Sequence, residues 1–351
     1  MIIKKILKTV LIIIICLLLL IGGYVVYVFS SYNRIEDNQQ LDINKAAELT
    51  NAPIDKELKI LSYNIGFGAY SNDFTFFMDG GSESRCRSKE IGIKNVTGAF
   101  DTALLSNSDI YLFQEVDIKG TRSYNVNQFD ILKDGFGQKF NSSFAQNYDS
   151  PYLFWPIFSP HGANCSGLAI FSRFDINSAI RRQLPVESGM MKIVDLDRAY
   201  SVNRISCENG KELIVYNVHL SAYTSDGTVA NEQLKILLED MQKEYSTGNY
   251  CLAGGDFNKD LPADSGNSTN TWTQPIPAEL IPDDFTLIPP VAAPVKSCRD
   301  AGEVYNQDTS FTVTVDGFIV SQNMQITGSA VIDTGFCFSD HNPVYMTFLL
   351  K

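Results

Sequence analysis

The chain has 351 residues, 44% of them hydrophobic and 19% charged, which suits one large globular core and excludes wholesale disorder. Its formal net charge is −12, and because the first thirty residues carry only Lys4, Lys5 and Lys8, the remainder carries −15. So acidic a body disfavours a module that holds nucleic acid by neutralising phosphates, although a bound cation can reverse the sign locally.

Residues 9–29 are uncharged and mostly Ile, Leu and Val, long enough to cross a hydrocarbon core as one helix. A cleaved signal peptide has a shorter apolar run, about 7–15 residues, and a small-residue cleavage pattern that does not follow here. Three lysines precede the span, whereas Arg34 beyond it is followed by Glu36 and Asp37. The positive-inside rule then predicts a cytoplasmic N-terminus (1–30 with the span) and an extracytoplasmic body at the cell membrane. Residues 31–56 are polar, with Ala-Ala-Glu-Leu at 46–49, and read as a short helix or stalk before a catalytic domain at 57–351. Cys86, Cys165, Cys207, Cys251, Cys298 and Cys337 form an even count compatible with disulfides in an oxidising compartment. Their spacing matches no metal-site pattern.

Beyond Leu58, β-rich runs recur: LKILSYNI, DIYLFQEV, SGLAIFSRF, RAYSVNRISC, ELIVYNVHL, YCLAGGDF, VDGFIVS and PVYMTFLL. Helical patterns cover 91–105 and 229–245. Interleaved without a strict βαβ rhythm, these predict an α/β fold of mixed sheets with helices outside. The aromatic segment PYLFWPIF at 151–158 reads as a core strand; a membrane-dipping hairpin anchored by Trp155 and Phe158 is the other reading. Stretches 260–273 and 275–295 read as surface loops.

Polar residues cluster where these strands run out. Glu115 continues the apolar stripe of Tyr111 and Phe113, so its carboxylate needs either a divalent cation or a basic partner. Asn64 precedes Gly66 and Gly68, as a turn residue or a ligand. In AGGDFN, Asp256 and Asn258 project to one side while Phe257 enters the core. Asp340 and His341 stand before a strand opened by Pro343, and Asp316 interrupts another β-branched run. An Asp held against a histidine fixes its tautomer and raises its basicity. Of three histidines, His219 and His341 lie at strand ends, while His161 reads as a loop residue. Arg198 reads either as a phosphate contact or as a partner of Asp195 or Asp197, and is left outside the site.

Taken in order, LSYN, FQEVD, NVHL, GGDFN, VDGFIVS and SDHNPV resemble the motif series of the endonuclease/exonuclease/phosphatase superfamily, over residues 58–350. The resemblance implies a four-layer sandwich, two mixed β-sheets packed face to face with helices on the outside. It implies that Glu115 is the principal Mg²⁺ ligand, with Asn64 and Asp340 as direct or water-mediated ligands; Mn²⁺ or another divalent cation is the alternative. Asp256 then orients or deprotonates the attacking water, and Asn258 and His219 hold phosphoryl oxygens. His341, oriented by Asp316, stabilises the transition state or works as general acid or base. Mg²⁺ and both imidazoles would supply positive character. His219 stands where abasic-site repair enzymes carry a tyrosine, which moves the expected activity away from DNA repair.

Together with the span, the resemblance predicts a membrane-anchored phosphodiesterase acting by metal-assisted in-line attack of water. The expected substrate is a phospholipid or sphingolipid headgroup, as for a sphingomyelinase. An extracellular nuclease and a phosphomonoesterase on sugar or inositol phosphates are the alternatives, and a catalytically dead binding or adhesion protein is the non-enzyme one. The expected partners are the membrane and the phosphoester substrate, with no obligate protein partner and a monomeric chain.

Overall fold

In the computed structural model, which describes residues 2–188, 192, 197–222, 228–262, 273–290 and 295–351, the strand-like runs form two seven-stranded sheets. One has the spatial order β1 (Gln39–Gln40), β7 (Ile176–Gln183), β8 (Ala199–Ser206), β9 (Glu212–His219), β10 (Tyr250–Asp256), β14 (Asp316–Ser321), β11 (Phe285–Ile288). The other runs β15 (Met324–Val331), β16 (Val344–Leu350), β3 (Leu58–Asn64), β4 (Ile110–Gly120), β6 (Asn164–Ser172), β5 (Asn141–Asp149), β2 (Ile43–Asn44). A two-stranded ladder joins β12 (Cys298–Arg299) to β13 (Thr312–Val313). Both large sheets are mixed: β9 with β10 and β3 with β4 are parallel, and the other pairs are antiparallel.

The layers follow from strand alternation. Leu213 and Val215 of β9 face Ile60, Leu112 and Met346 of the opposite sheet, making the central core. Ile214, Tyr216 and Val218 face outward onto Leu234, Leu237 and Met241 of helix α4 (Thr228–Ser246). On the other outer face, α2 (Lys89–Leu105) and α3 (Gln128–Phe136) set Val96, Phe100, Leu132 and Phe136 against Tyr111, Phe113 and Phe171. Strands covered on both faces read as nearly continuous apolar runs, which is why they were legible. Each of these two helices starts at a side-chain cap, Ser88 accepting from the Ile91 amide (3.2 Å) and Asn127 from Asp130 (3.1 Å).

The helix α1 (Ile2–Ser31) is long and apolar enough to cross a membrane, and none of its most apolar stretch is buried.

Several expectations need correction. No helix or stalk forms at 46–49. Instead β1 and β2 pair with β7 and β5 at an edge of each sheet, and buried Arg181 donates to the Ile35 and Glu36 carbonyls (3.3 and 3.2 Å). Open sheet edges recruit the segment that passes them. PYLFWPIF is not a core strand, because β5 already occupies the place beside β6, and Pro151, Pro156 and Pro160 cannot donate to a ladder. Stretch 275–295 carries β11 as well as loop. Residues 263–272 and 291–294, within the two expected loops, lie outside the described residues. All seven cysteines are unpaired, with Cys86, Cys207, Cys251 and Cys298 buried, so the even count carries no argument for an oxidising compartment.

Candidate active site

At one end of the sandwich, β9, β10 and β14 bring their polar residues into register. Asp256 is paired with His219 on one side and with Asp316 on the other. Gly255 permits this: its φ is 148°, and a Cβ there would stand 2.0 Å from the Val218 carbonyl oxygen. In the facing sheet Asn64, the last residue of β3, lies beside Gln114.

Glu115 does not continue the Tyr111–Phe113 stripe. Phe113 pairs with Ala169 but Val116 with Gly167, so Gln114 and Glu115 both oppose Leu168, and Glu115 adopts φ 54°. This bulge re-aims the carboxylate toward the end of the sandwich. A buried amide from the other sheet braces it: Asn217 donates to the Phe113 (3.2 Å) and Ala169 (3.0 Å) carbonyls and accepts from Gln114 Nε2 (2.7 Å).

Hydrogen bonds link the two sheets. Asn64 Nδ2 donates to Asp256 Oδ2 (3.0 Å) and Glu115 Oε1 (3.3 Å), while its Oδ1 accepts from the Gly66 amide (3.0 Å). Gly66 makes room for this turn, since a Cβ on it would lie 3.2 Å from Asp340 Oδ1 and 2.8 Å from Tyr70. Ser339 Oγ donates to the Asn64 carbonyl (2.8 Å) and holds the loop bearing Asp340 and His341. His341 Nδ1 bonds Asp316 Oδ2 (2.8 Å), which also accepts from Ser297 Oγ (2.7 Å). The Nε2 atoms of His341 and His219 both stand 3.6 Å from Asp256 Oδ2, beyond hydrogen-bond length but within strong Coulomb reach. Asn258, at φ 50°, donates its backbone N–H to Asp256 Oδ1 (2.9 Å) and its amide to the Leu220 carbonyl (2.7 Å).

All eight candidates from the sequence thus converge. Glu115, His219, Asp256, Asn258, Asp340 and His341 line a cavity of about 340 Å³; Asn64 and Asp316 stand behind them. Burial pushes the Asp256 carboxyl up, and neighbouring Asp316 adds to the rise. Burial would lower His341, but Asp316, Cys298 and Asp256 together outweigh it and hold its pKa well above the usual value. His219 is the reverse: burial, then Arg198 and His341, push it well down. It is therefore neutral at pH 7, and only one imidazole supplies positive character. Burial also raises Glu115, with Asp340 adding and Arg122 opposing.

The donor set fits a hard divalent cation. Glu115 and Asp340 are oxygen donors, the type Mg²⁺ takes, whereas Asn64 points its Nδ2 at Glu115 and its Oδ1 at the Gly66 amide and so orients the ligand carboxylate. Asp256, Asp316 and His341 also offer ligand atoms within 4.8 Å of one another. There the Asp316 bond to Nδ1 orients the imidazole, so that trio reads as an acid–base relay.

The sequence reading missed Asn217, although it lies two residues from His219 on the same strand face. It also missed Cys298, whose Sγ is 3.5 Å from His341 Nε2, and Ser297. Arg198 belongs to the cavity wall beside His219. Of its expected partners, Asp195 lies outside the described residues, and Asp197 accepts from the Ile35 amide (2.9 Å). His161 is buried, its Nδ1 donating to the Ser84 carbonyl (2.7 Å).

Residues 61–341 match the model of the Endonuclease/Exonuclease/phosphatase family. The chain belongs to that family. Its members are phosphoester hydrolases and generally use a divalent metal. Among solved structures it resembles truncated TDP2 from Caenorhabditis elegans at 17% identity and TM-score 0.52, covering 84% of this chain and 97% of that one. It also resembles the mannosyl-6-phosphatase of Bacteroides thetaiotaomicron (16%, TM-score 0.54, 84% and 100%) and the human Nocturnin catalytic domain with bound sulfate (15%, TM-score 0.51, 89% and 98%). At such identities the likeness concerns the fold. No curated protein matches the sequence significantly.

Proposed function

We propose that the protein is a membrane-anchored, Mg²⁺-dependent phosphodiesterase that hydrolyses phospholipid or sphingolipid headgroups outside the cytoplasm. The observation that carries the lipid reading is a second cavity, of about 350 Å³, joined to the catalytic one at Glu115 and His219. Its walls include Phe67, Tyr70, Phe76, Phe77, Leu153 and Trp155. A reacting headgroup in the polar cleft then has an apolar shelter for the chain attached to it. The Lys4, Lys5 and Lys8 cluster in the first turns of α1, ahead of its uncharged stretch, supports a cytoplasmic N-terminus, and we assign the chain as a monomer without an obligate protein partner.

Glu115, oriented by Asn64, and Asp340 would hold the ion, which when bound would supply positive charge against the phosphoryl oxygens. Asp256, its carboxyl raised toward neutrality and held by Asn64 and the Asn258 amide, takes a proton from the attacking water. His341, charged and braced by Asp316, presents Nε2–H to the negative charge that builds on the phosphoryl group. Neutral His219 and the Asn258 side chain hold further oxygens and fix the phosphorus in line with the water; as the new P–O bond forms, the ester bond opposite it breaks and the departing alkoxide takes a proton from solvent.

The discriminating experiment compares three substrates with Mg²⁺ and with EDTA: phosphorylcholine release from sphingomyelin, plasmid nicking and para-nitrophenyl phosphate hydrolysis. Dominant, EDTA-sensitive phosphorylcholine release is expected. Dominant nicking would reassign the protein as a nuclease and dominant monoester cleavage as a phosphatase; silence in all three would leave a binding protein.

A further inference from the structure

The loop 151–158 runs between the end of the apolar helix and the aromatic cavity, which shares Glu115 and His219 with the catalytic cleft. Tyr152, Phe154, Trp155, Ile157 and Phe158 are exposed, Phe158 to 99%, and the segment holds no charged residue. So large an apolar patch marks an interaction site. Yet the loop is held in place: Leu153 and Gly162 exchange backbone hydrogen bonds (3.1 and 2.9 Å), and the Trp155 carbonyl accepts from the His161 amide (3.2 Å).

Its other neighbour is α1. Tyr24 Oη donates to the Tyr152 carbonyl (3.0 Å) and accepts from the Phe154 amide (3.3 Å), and the Tyr24 and Phe154 rings meet edge to face at 4.4 Å. Tyr27 Oη accepts from the Tyr152 amide (3.2 Å). Tyr24 lies seven residues before the helix end at Ser31, roughly 10 Å along the axis. That is the depth at which the apolar span gives way to headgroups, where aromatic residues with polar tips concentrate. Tyr24, Phe154 and Trp155 also line the aromatic cavity that reaches Glu115 and His219.

We propose that the 152–158 loop is a second membrane contact, inserted in the same bilayer leaflet that α1 leaves, so that the mouth of the catalytic cavity lies against the lipid surface. The exposed face of α1 runs directly into the loop, so the bilayer that covers one covers the other. Ile157 and Phe158 enter the acyl boundary, while Tyr24 and Tyr27 fix the loop's depth. The inference rests on reading α1 as a span and sharpens the proposed lipid activity by giving an embedded substrate a short path to the cleft.

The test uses the full chain in phosphatidylcholine–sphingomyelin vesicles. With Trp272→Phe, Trp155 is the sole indole, since the chain has 2 tryptophans. Lipids carrying a shallow doxyl group should quench its emission about twofold or more. Ile157→Ser/Phe158→Ser, at positions outside the cavity wall, should lower turnover of vesicle sphingomyelin roughly tenfold while leaving water-soluble bis(para-nitrophenyl) phosphate turnover unchanged. Unquenched Trp155 would overturn the proposal, as would equal retention or equal loss of both activities in the double variant. So would a dimer that the double variant dissolves, which would assign the patch to a second copy. Quenching without any sphingomyelin turnover would defeat the substrate assignment and leave the membrane contact standing.

Discussion

The catalytic cleft and the aromatic cavity share Tyr70, Met78, Glu115, Arg198 and His219, yet the chain builds them in different ways. The cleft draws Asp256, His219 and Asp316 from adjacent strand ends at one register. The cavity draws Phe67, Phe76, Leu153 and Trp155 from two irregular loops. Their histidines make the contrast sharp. His341 and His161 are equally buried, 6% and 5% exposed, but their basicities shift in opposite directions. His341 faces Asp316 and Asp256, whereas His161 lies among Phe67, Phe76 and Phe77 with the Arg122 guanidinium nearby. Neighbouring charge, then, rather than burial, decides which imidazole is protonated.

The strongest way to break this contrast is to remove charge from the polar side. Asp256→Ala should lower turnover by about a hundredfold or more while leaving the circular dichroism spectrum intact, and EDTA should silence the wild type until Mg²⁺ is restored. Near-normal turnover of a folded Asp256→Ala protein would remove Asp256 from the chemistry. A smaller loss, of about tenfold, is expected for Asp316→Asn, which keeps the shape of the pair but removes its charge. Asp316 raises the His341 pKa, so its neutralisation lets the imidazolium deprotonate at lower pH. The alkaline limb of the kcat/KM profile should therefore move to lower pH. An unmoved limb with lowered turnover would make Asp316 a purely structural residue.

How much of each region was legible follows from the same difference. Asp256, His219 and His341 could be read because extended chains alternate and because polar residues at the ends of buried runs stand out. Glu115 was found for a reason that does not hold in space: its φ of 54° breaks the alternation that singled it out. β5 escaped notice because Asn141, Ser142 and Ser143 are buried polar residues, satisfied by partners such as the Phe174 carbonyl (3.0 Å) and Asn203 (2.8 Å). The aromatic cavity carried no periodic signal. Leu153 and Trp155 acquire their role only through loops that meet far from one another in sequence, whereas aromatic composition and a place just before SGLAIFSRF read 151–158 as core.

Asn217 tests whether the bulge depends on its brace. In Asn217→Ala the Phe113 and Ala169 carbonyls lose their buried donor and Gln114 Nε2 loses an acceptor, for a loss of about 3 kcal/mol in urea unfolding in detergent. Turnover should fall as well, because Glu115 is aimed by that bulge. Lost stability with unchanged turnover would show that the carboxylate is placed independently.

The smallest effect sharpens the contrast from the aromatic side. Burial, with Arg122 adding, lowers His161 to about 4 from the ordinary 6.5. Its folded pKa lies below its unfolded one, so its contribution is fully present above pH 6.5 and is lost as pH falls toward 4. Between pH 7.5 and 5 this amounts to about 2 kcal/mol. His341 has the opposite sign, its contribution present in acid and lost as pH rises through its raised value, so the two partly mask each other in the wild type. His161→Asn retains a donor for the Ser84 carbonyl but cannot titrate. Its stability at pH 7.5 should be lower than that of the wild type, because a smaller side chain leaves space among the rings, yet it should lose less on acidification. Equal losses in both proteins would mean that His161 titrates normally, and that the aromatic wall is open enough to water to admit a charge.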